Sequence, residues 1–452
     1  MSSDESFKIL IASDIHLGHD ELHPVCGQDS FRAFDEVLKA AKKHNVDFIL
    51  LAGDLFDKNK PSFYTINRAF ELIRENCLGE DLERNFDIHM ADDVNINDKN
   101  LKIKYPIFTI HGNHDDPTGV TQMSIVDVFH ASGMVNYFGK RDNVEEIQLS
   151  PIIFTKKRTK IGLYGLGAIH EERLQHLISR NKFNYFIPDE DSEQYFNLVL
   201  VHQNRVPRPN SSYLHPNDLQ QVPNLVIWGH EHECVDLEYF EEKNFYIYQP
   251  GSTIVTSLCE AEAKPKYYAI LDVDYDSKKK KPKFKLTKYK LEQVRPFMIK
   301  TVLIDDIILP SKAKTVESVQ KYIIQFCKNE IEDMIVEANK NSNGLEPLIR
   351  LRVLYSDSKY HIDSFNICNQ FRNKGIAKWE ELVRFIKRNS AMSKYSQVVD
   401  IQDNDFDFEE MSSVLNRNNI NQRIGLETIV KDYFNNVSNK DQKLGKFFLS
   451  CF

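Results

Sequence analysis

The chain has 452 residues, too many for one ordinary hydrophobic core, so we expect two domains or one large domain with an appendage. Its net charge of −8 means that nucleic acid could bind only at a locally basic surface or beside bound cations. Seven scattered cysteines with no C-x-x-C pair argue against a disulfide framework. We expect no membrane span and no signal peptide.

Apolar runs alternate with helical periods in the first part of the chain. Strands are predicted over residues 7–13, 46–52 and 105–110, with helices beginning at Asp29 or Ser30 and at Pro61. This βαβαβ order predicts a sheet covered by helices. Later runs are more purely strand-like, so the predicted fold is α/β, with two sheets sandwiched between helices. The later predicted strands are 160–166, 197–201, 225–228, 245–249, 267–273 and 284–289.

Two polar segments interrupt this pattern. Residues 79–104 are acidic and have no clear period, which predicts a long surface insertion that orders only when it binds a partner. Residues 276–283 contain four consecutive lysines, which predict a solvated hairpin tip, with a role in nucleic-acid binding or nuclear targeting as the alternative.

A domain boundary is predicted near Glu292. The segment 293–388 is predicted to form a small α+β domain, with strands over 294–305 and 348–355, a helix over 315–340, and two helical stretches that end near Lys387. Residues 389–452 are predicted to be a polar linker followed by a helix over 424–436.

Side chains that commonly bind metal ions follow five of the predicted strands directly. Residues that follow parallel strands converge on one edge of a sheet, so these side chains are expected to lie together. Their nitrogen and oxygen donors suit Mn²⁺, Fe or Zn²⁺. One short motif would be weak evidence, but five in this order predict a metal site. The candidate ligands are Asp14, His16, Asp54, Asn113, His202, His230 and His232.

The carboxylate of Asp54 could bridge two ions with its two oxygens. Paired ions about 3.5–4 Å apart can stabilise both the attacking and the leaving oxygen of an in-line displacement at phosphorus. The residues alone therefore predict a two-metal phosphoesterase.

The order D-x-H, G-D, G-N-H-D, H and G-H-x-H resembles that of the calcineurin-like metallophosphoesterase superfamily. The longer stretches DIHLGH, LLAGDLFDKNKPS, PIFTIHGNHDDPTG, IWGHEHEC and QPGST are similar to the eukaryotic meiotic-recombination-eleven nuclease family, over roughly residues 7–395. The resemblance implies a 3′-to-5′ exonuclease on duplex ends and an endonuclease on single strands and hairpins. It also implies two Mn²⁺ ions per subunit.

In that family, one ion is held by the residues that match Asp14, His16, Asp54 and His232, and the other by those that match Asp54, Asn113, His202 and His230. The residue that matches His114 acts on the leaving group, which needs a proton when the 3′-oxygen departs. On this resemblance residues 1–292 are the nuclease domain, 293–388 a cap that binds DNA, and 389–452 the possible start of an ATPase-binding region.

The resemblance also implies partners and a setting. The expected setting is nuclear repair of DNA double-strand breaks, with homologous recombination and meiosis. The expected partners are DNA, an SMC-like ATPase with a long coiled coil, and nibrin through the insertion at 79–104. A homodimer is expected through the helices that begin at Pro61 and near Met123. The apolar stripe of the first helix is Phe63, Ile66, Phe70 and Ile73, which could instead be ordinary core.

One residue departs from the family pattern. Asp57 stands where the relatives usually have a second histidine. We expect its carboxylate to accept a hydrogen bond from His114 and keep that imidazole cationic. The alternative is that Asp57 caps the next helix or lies in solvent. Lys58 and Lys60, in the loop that resembles a DNA-facing segment, are candidate phosphate contacts.

Two other functions remain open from the sequence. A protein Ser/Thr phosphatase would have the same ligand set, but it would carry an arginine after the aspartate at 57, where this chain has Lys58. A nuclease-inactive scaffold could use the same fold to bind partners.

Overall fold

The computed structural model describes residues 5–80, 85–91, 93–141, 145–188, 194–207, 212–307, 315–340 and 343–388. The helices are α1 (Asp29–His44), α2 (Phe63–Cys77), α3 (Ile125–Ala131), α4 (Glu171–Ser179), α5 (Val316–Lys340) and α6 (Phe365–Cys368). The strands are β1 (Phe7–Ala12), β2 (Phe48–Leu51), β3 (Asp87–His89), β4 (Ile107–Thr109), β5 (Asn136–Tyr137), β6 (Ile147–Leu149), β7 (Ile152–Lys156), β8 (Thr159–Leu166), β9 (Phe183–Tyr185), β10 (Tyr195–His202), β11 (Leu225–Gly229), β12 (Val235–Phe240), β13 (Phe245–Gln249), β14 (Tyr267–Asp276), β15 (Lys281–Lys290), β16 (Phe297–Leu303), β17 (Leu348–Tyr355) and β18 (Val383–Lys387).

Two large sheets face each other. One has six strands in the order β15-β14-β1-β2-β4-β5, and the other has seven in the order β12-β13-β11-β10-β8-β7-β3. Strands β1, β2, β4 and β5 run parallel to one another, as do β8, β10, β11 and β13, whereas β14, β7 and β12 pair antiparallel with β1, β8 and β13. Helices α1, α2 and α3 pack on the outer face of the first sheet, and α4 packs on the second. The predicted α/β architecture is confirmed.

The apolar runs predicted as buried strands form the core between the sheets. The rings of Phe48 and Phe154, one from each sheet, stack with their centroids 4.5 Å apart. The opposite face of the first sheet is covered by α1, whose Phe31, Phe34 and Leu38 are buried. Strands β1 and β2 are therefore apolar on both faces, as expected for parallel strands that helices cover.

The insertion at 79–104 is more ordered than we expected. Its strand β3 pairs antiparallel with β7, at the edge of the seven-stranded sheet. Val94 and Ile103 are buried, and the amide of Asn95 donates to Asn136 Oδ1 at 2.7 Å. The expectation that this segment orders only with a partner is therefore wrong for its described residues, because main-chain pairing holds it despite its few apolar side chains.

Strands β16, β17 and β18 form a parallel three-stranded sheet that packs against α5 and α6. We call this unit the three-stranded domain. The prediction of helix up to Lys387 is wrong at its end, because residues 383–387 pair with β17 as a strand. The boundary near Glu292 falls between β15 and β16 and stays a prediction. The predicted linker and helix at 389–452 lie outside the described residues.

The lysine-rich segment joins β14 to β15, so the predicted hairpin is confirmed. Aspartates lie opposite lysines across this pair, and Lys283 Nζ is 3.2 Å from Asp274 Oδ2. Within the described ranges, no helix is both long enough and apolar enough to cross a lipid bilayer.

Candidate metal centre

The predicted metal ligands all lie where strands of the two facing sheets end. Strands β1, β2 and β4 are parallel neighbours in one sheet, and β10 and β11 are parallel neighbours in the other. Their carboxyl ends therefore meet at one edge of the sandwich. Asp14 and His16 follow β1, Asp54 follows β2, Asn113 follows β4, His202 ends β10, and His230 and His232 follow β11.

Four of these residues have a left-handed backbone. The angle φ is 51° at Asp14, 50° at His16, 48° at Asp54 and 82° at His230. Such a conformation costs a residue other than glycine of order 1–3 kcal/mol and persists only where the surroundings fix it. Here the amide of Asp14 donates to Gly53 O at 3.2 Å, and that of His16 donates to Asp54 O at 3.0 Å. Strain clustered in this way is typical of functional sites.

The loop after β4 approaches the Asp54 carboxylate closely. A Cβ atom on Gly112 would lie 2.0 Å from Asp54 Oδ1, so only glycine fits there. The amide of His114 donates to the same oxygen at 2.9 Å. Gly112, the glycine of the G-N-H-D motif, therefore lets the main chain come close enough to donate a hydrogen bond to the Asp54 carboxylate.

Asp14, His16 and His232 form a first group of ligand atoms, which all lie within 4.8 Å of one another. The Nε2 atoms of His16 and His232 are 3.2 Å apart, and His232 Nε2 is 3.7 Å from Asp14 Oδ1. Asp54 Oδ2 lies 3.9 Å from His16 Nε2. The Asp54 carboxylate therefore lies close to this first group of ligand atoms.

Asp54, His202 and His230 form a second group within the same 4.8 Å limit. His202 Nε2 is 3.2 Å from Asp54 Oδ2 and 3.1 Å from Asn113 Oδ1. His230 Nδ1 is 2.8 Å from Asn113 Oδ1. Asp54 thus lies between the two groups, which is the position that a bridging carboxylate needs.

The donor atoms fit divalent metal ions. His202 Nδ1 donates to the carbonyl oxygen of Ala52 at 2.8 Å, so in the neutral ring Nε2 presents a lone pair to two acceptor oxygens. Asp14 Oδ1 is buried and has no hydrogen-bond partner among the described residues. Converging lone pairs and buried carboxylates are costly unless a cation lies between them. Nitrogen and oxygen donors of this kind suit Mn²⁺, Fe or Zn²⁺.

The charges at the site lead to the same conclusion. Burial lowers the pKa of His202, but the charges of Asp54 and Asp14 outweigh it and raise this pKa to about 10. Burial would raise the pKa of Asp54, but His202 and His114 hold it well below its usual value. The Asp54 carboxylate stays charged, so the site requires positive charge from bound protons or metal ions.

His114 lies at the exposed rim, and its Nδ1 donates to the main-chain oxygen of Asp57 at 2.8 Å. Loss of hydration lowers the pKa of His114, but the charge of Asp54 and this carbonyl raise it above its usual value. His114 was expected to donate to the carboxylate of Asp57. It donates instead to the main-chain oxygen of the same residue, so that expectation is wrong about the accepting atom. That carboxylate turns inward, where its Oδ1 is 3.3 Å from His16 Nδ1 and 2.9 Å from His19 Nδ1. Asp57 does not cap α2, because the cap is Ser62.

Two family models match the chain. The model described as Calcineurin-like phosphoesterase matches residues 7–234, and the model described as Mre11 DNA-binding presumed domain matches residues 284–442. The chain belongs to the calcineurin-like phosphoesterase family, in its Mre11 group.

Proteins named MRE11 are similar to this phosphoesterase over almost its whole length. Double-strand break repair protein MRE11 of Gallus gallus is 37% identical over 97% of this chain and 62% of its own length. The Homo sapiens protein of the same name is 35% identical over 96% of this chain and 61% of its own. The Arabidopsis thaliana protein is 31% identical over 99% and 64%. The chain therefore spans less than two thirds of the length of these relatives.

The predicted phosphate contacts of the phosphoesterase, Lys58 and Lys60, are exposed and follow Asp57, the residue whose main-chain oxygen accepts from His114. Between them, Asn59 donates to the main-chain oxygen of Asp116. This bond joins the loop that carries both lysines to the G-N-H-D-D loop.

The sequence reasoning missed two carboxylates behind the ligands. Glu262 Oε1 accepts from His232 Nδ1 at 2.8 Å, which leaves Nε2 of His232 facing the site. Asp115 accepts from the amides of Gly112 at 2.7 Å and Phe56 at 3.1 Å. Burial, and then the charge of Asp54, raise the pKa of Asp115 to about 7. Asp115 belongs to the G-N-H-D-D motif and could have been singled out, whereas no motif marks Glu262.

Proposed function

We propose that this phosphoesterase hydrolyses phosphodiester bonds of DNA with two Mn²⁺ ions, as a 3′-to-5′ exonuclease on duplex ends and an endonuclease on single strands and hairpins. The observation that carries the proposal is the position of Asp54 between two groups of inward-facing donors. Membership of the Mre11 group and the printed names of the relatives, double-strand break repair proteins, support DNA as the substrate.

Seven residues would hold the ions. Asp14, His16, Asp54 and His232 would hold the first, and Asp54, Asn113, His202 and His230 the second. Bound together, two such ions neutralise charge on the attacking and leaving oxygens and activate water. The buried carbonyl of Ala52 and the carboxylate of Glu262 orient the imidazoles of His202 and His232 toward that position.

His114 would give a proton to the departing 3′-oxygen. Its Nδ1–H is committed to the carbonyl of Asp57, so Nε2 is the nitrogen that can exchange a proton with substrate. The charge of Asp54 raises the pKa of His114, so the protonated form is populated nearer to neutral pH. A general acid works best when its pKa lies near the working pH.

A nuclease assay tests this function. The full chain with Mn²⁺ is incubated with blunt duplex, single-stranded circle and hairpin DNA, beside an Asn113→Ala variant, and a phosphopeptide is offered in parallel. Cleavage of DNA that Asn113→Ala abolishes is the expected result. Phosphopeptide hydrolysis without DNA cleavage would indicate the protein phosphatase, and inactivity of the metal-loaded chain on every substrate would indicate a scaffold.

Partners and setting extend this proposal. We infer that the chain acts in the nucleus during double-strand-break repair, with an SMC-like coiled-coil ATPase, and that it engages nibrin through the insertion at 79–104. The family match over residues 284–442 supports DNA binding by the three-stranded domain, with Lys58 and Lys60 as further phosphate contacts.

A homodimer through α2 and α3 is also proposed, although most of the apolar stripe of α2 is core. Ile73 is buried and Phe70 stacks on Phe129, but Phe63 is 92% exposed. Val128 and Met123, on and just before α3, are 49% and 48% exposed. Exposed apolar surface of this kind supports an interface. Light scattering at micromolar concentration should give the mass of a dimer, and Phe63→Glu should give that of a monomer.

A further inference from the structure

A line of polar contacts runs from the three-stranded domain to the metal ligand His16. Lys378 Nζ lies 2.5 Å from Asp20 Oδ2, which is 3.5 Å from His19 Nε2. The other ring nitrogen of His19, Nδ1, is 2.9 Å from Asp57 Oδ1, and this oxygen is 3.3 Å from His16 Nδ1. The Lys378–Asp20 and His19–Asp57 contacts are at hydrogen-bond distance, whereas the His19–Asp20 and His16–Asp57 contacts are within ion-pair distance but lack hydrogen-bond geometry.

The line is sheltered and its outer end is strained. The side chains of Lys378, His19 and Asp57 are 15%, 19% and 13% exposed, so bulk water screens their charges only in part. Both members of the outer ion pair have a left-handed backbone, with φ of 51° at Lys378 and 50° at Asp20. Residues other than glycine hold that conformation only where their surroundings impose it.

Glu262, the carboxylate that accepts from the ligand His232, has more hydrogen-bond partners than Asp57, which lies behind His16. Glu262, which supports His232, also accepts from the amide and hydroxyl of Thr256, at 3.2 and 2.7 Å, and from Lys266. All of these groups belong to one loop of the core. In the described part of the chain, the Asp57 carboxylate has only His16 and His19 as hydrogen-bond or ion-pair partners. Its orientation therefore depends on His19 and on what holds His19.

We infer that His19, Asp20 and Lys378 are positioning residues for the first metal ion. They fix the Asp57 carboxylate against His16, so that docking of the three-stranded domain on the core sets how tightly this ion is held. The inference rests on the proposed two-metal function. It assigns the Asp57 carboxylate the role of orienting a metal ligand, beside the contact that the main-chain oxygen of Asp57 makes with His114.

Metal binding to the full chain tests the inference without an activity assay. Mn²⁺ is titrated by calorimetry, and the spin-coupled signal of the ion pair is followed by electron paramagnetic resonance. Lys378→Met removes the cation of the Lys378–Asp20 ion pair, and Asp20→Asn removes its anion. Asparagine tolerates the left-handed backbone of residue 20. Arg352→Met is the matched control, because Arg352 Nη1 also joins the three-stranded domain to the core, 3.4 Å from Glu260 Oε1, away from Asp57.

The wild-type chain should bind two ions. Lys378→Met and Asp20→Asn should weaken one of them about threefold to tenfold, less than the 10- to 100-fold loss expected for Asp57→Asn, which removes a charge directly behind a ligand. The other ion should bind as in the wild type, Lys378→Arg should restore most of the affinity, and Arg352→Met should change neither site.

Three outcomes would overturn the inference. Fewer than two ions in the wild type would remove the proposed function and the inference together. Two ions in the wild type and unchanged binding in both variants would remove the inference alone. An equal loss in Arg352→Met would assign the effect to general loosening of the domain. Thermal unfolding in EDTA shows whether each variant is folded. If Lys378→Met does not fold, the Mn²⁺ affinity of Asp20→Asn alone tests the inference.

Discussion

Replacing Glu262 by glutamine should separate a structural role of this carboxylate from its role at the metal centre. The side chain is 1% exposed and accepts from His232 Nδ1 at 2.8 Å. It also pairs with the ammonium group of Lys266, itself 2% exposed. Glu262→Gln keeps the size of the side chain and removes its charge, so Lys266 becomes a buried cation without its counter-ion.

The cost follows from burial. Removing one partner of a buried ion pair typically costs about 3–5 kcal/mol. Lys266 Nζ keeps Ser252 Oγ at 2.7 Å and His232 O at 3.2 Å, so we expect the lower end of that range, about 3 kcal/mol. Loss of the carboxylate behind His232 should also lower the affinity for one Mn²⁺ ion by about 10- to 100-fold.

Urea unfolding in EDTA measures the first effect, and Mn²⁺ titration measures the second. The double variant Glu262→Gln/Lys266→Met removes the uncompensated cation as well. It should recover most of the lost free energy of unfolding and none of the lost metal affinity. A loss below about 1 kcal/mol in Glu262→Gln, or a double variant no more stable than the single one, would refute the reasoning about the buried pair.

Three further predictions concern the edge of the sandwich. Gly112→Ala should reduce the free energy of unfolding by about 1–3 kcal/mol in urea and weaken Mn²⁺ binding, because its Cβ would lie 2.0 Å from Asp54 Oδ1. Mn²⁺ binding at pH 7 should release protons, seen by calorimetry in buffers of different ionisation enthalpy. The reason is that the raised pKa of His202, about 10, leaves this ring protonated in the metal-free chain. Lys58→Ala with Lys60→Ala should weaken DNA binding, with a salt slope lower by about 2, and should leave Mn²⁺ binding unchanged.

Much of the fold follows from the sequence where strands are buried on both faces. The predicted strands 245–249 and 348–355 coincide with β13 and β17, the first because of its apolar run and the second because apolar residues alternate with Arg350 and Arg352. Strands β3 and β18 were missed for a common reason. Each is short, and each exists through pairing with a strand far away in the sequence, at Ile153–Thr155 for β3 and Leu351–Tyr355 for β18.

The candidate site, like the fold, could be predicted only in part. Its ligands could be predicted because each lies at or just after the end of a strand, and parallel strand order brings these ends to one edge. Asp57 was identified as a partner of His114, but the atom that accepts the hydrogen bond was not, since a sequence does not tell whether the carbonyl or the carboxylate of a loop residue faces His114. Glu262 could not be found, because it reaches His232 from a separate segment and carries no motif.

Anomalous scattering from a crystal fully loaded with Mn²⁺ tests the central claim most directly. We expect two peaks that share Asp54, the first bounded by Asp14, His16 and His232 and the second by Asn113, His202 and His230. In a His202→Ala crystal, the second peak should be the weaker one. A single peak in the wild-type chain, or ligands outside these seven residues, would contradict the two-metal centre.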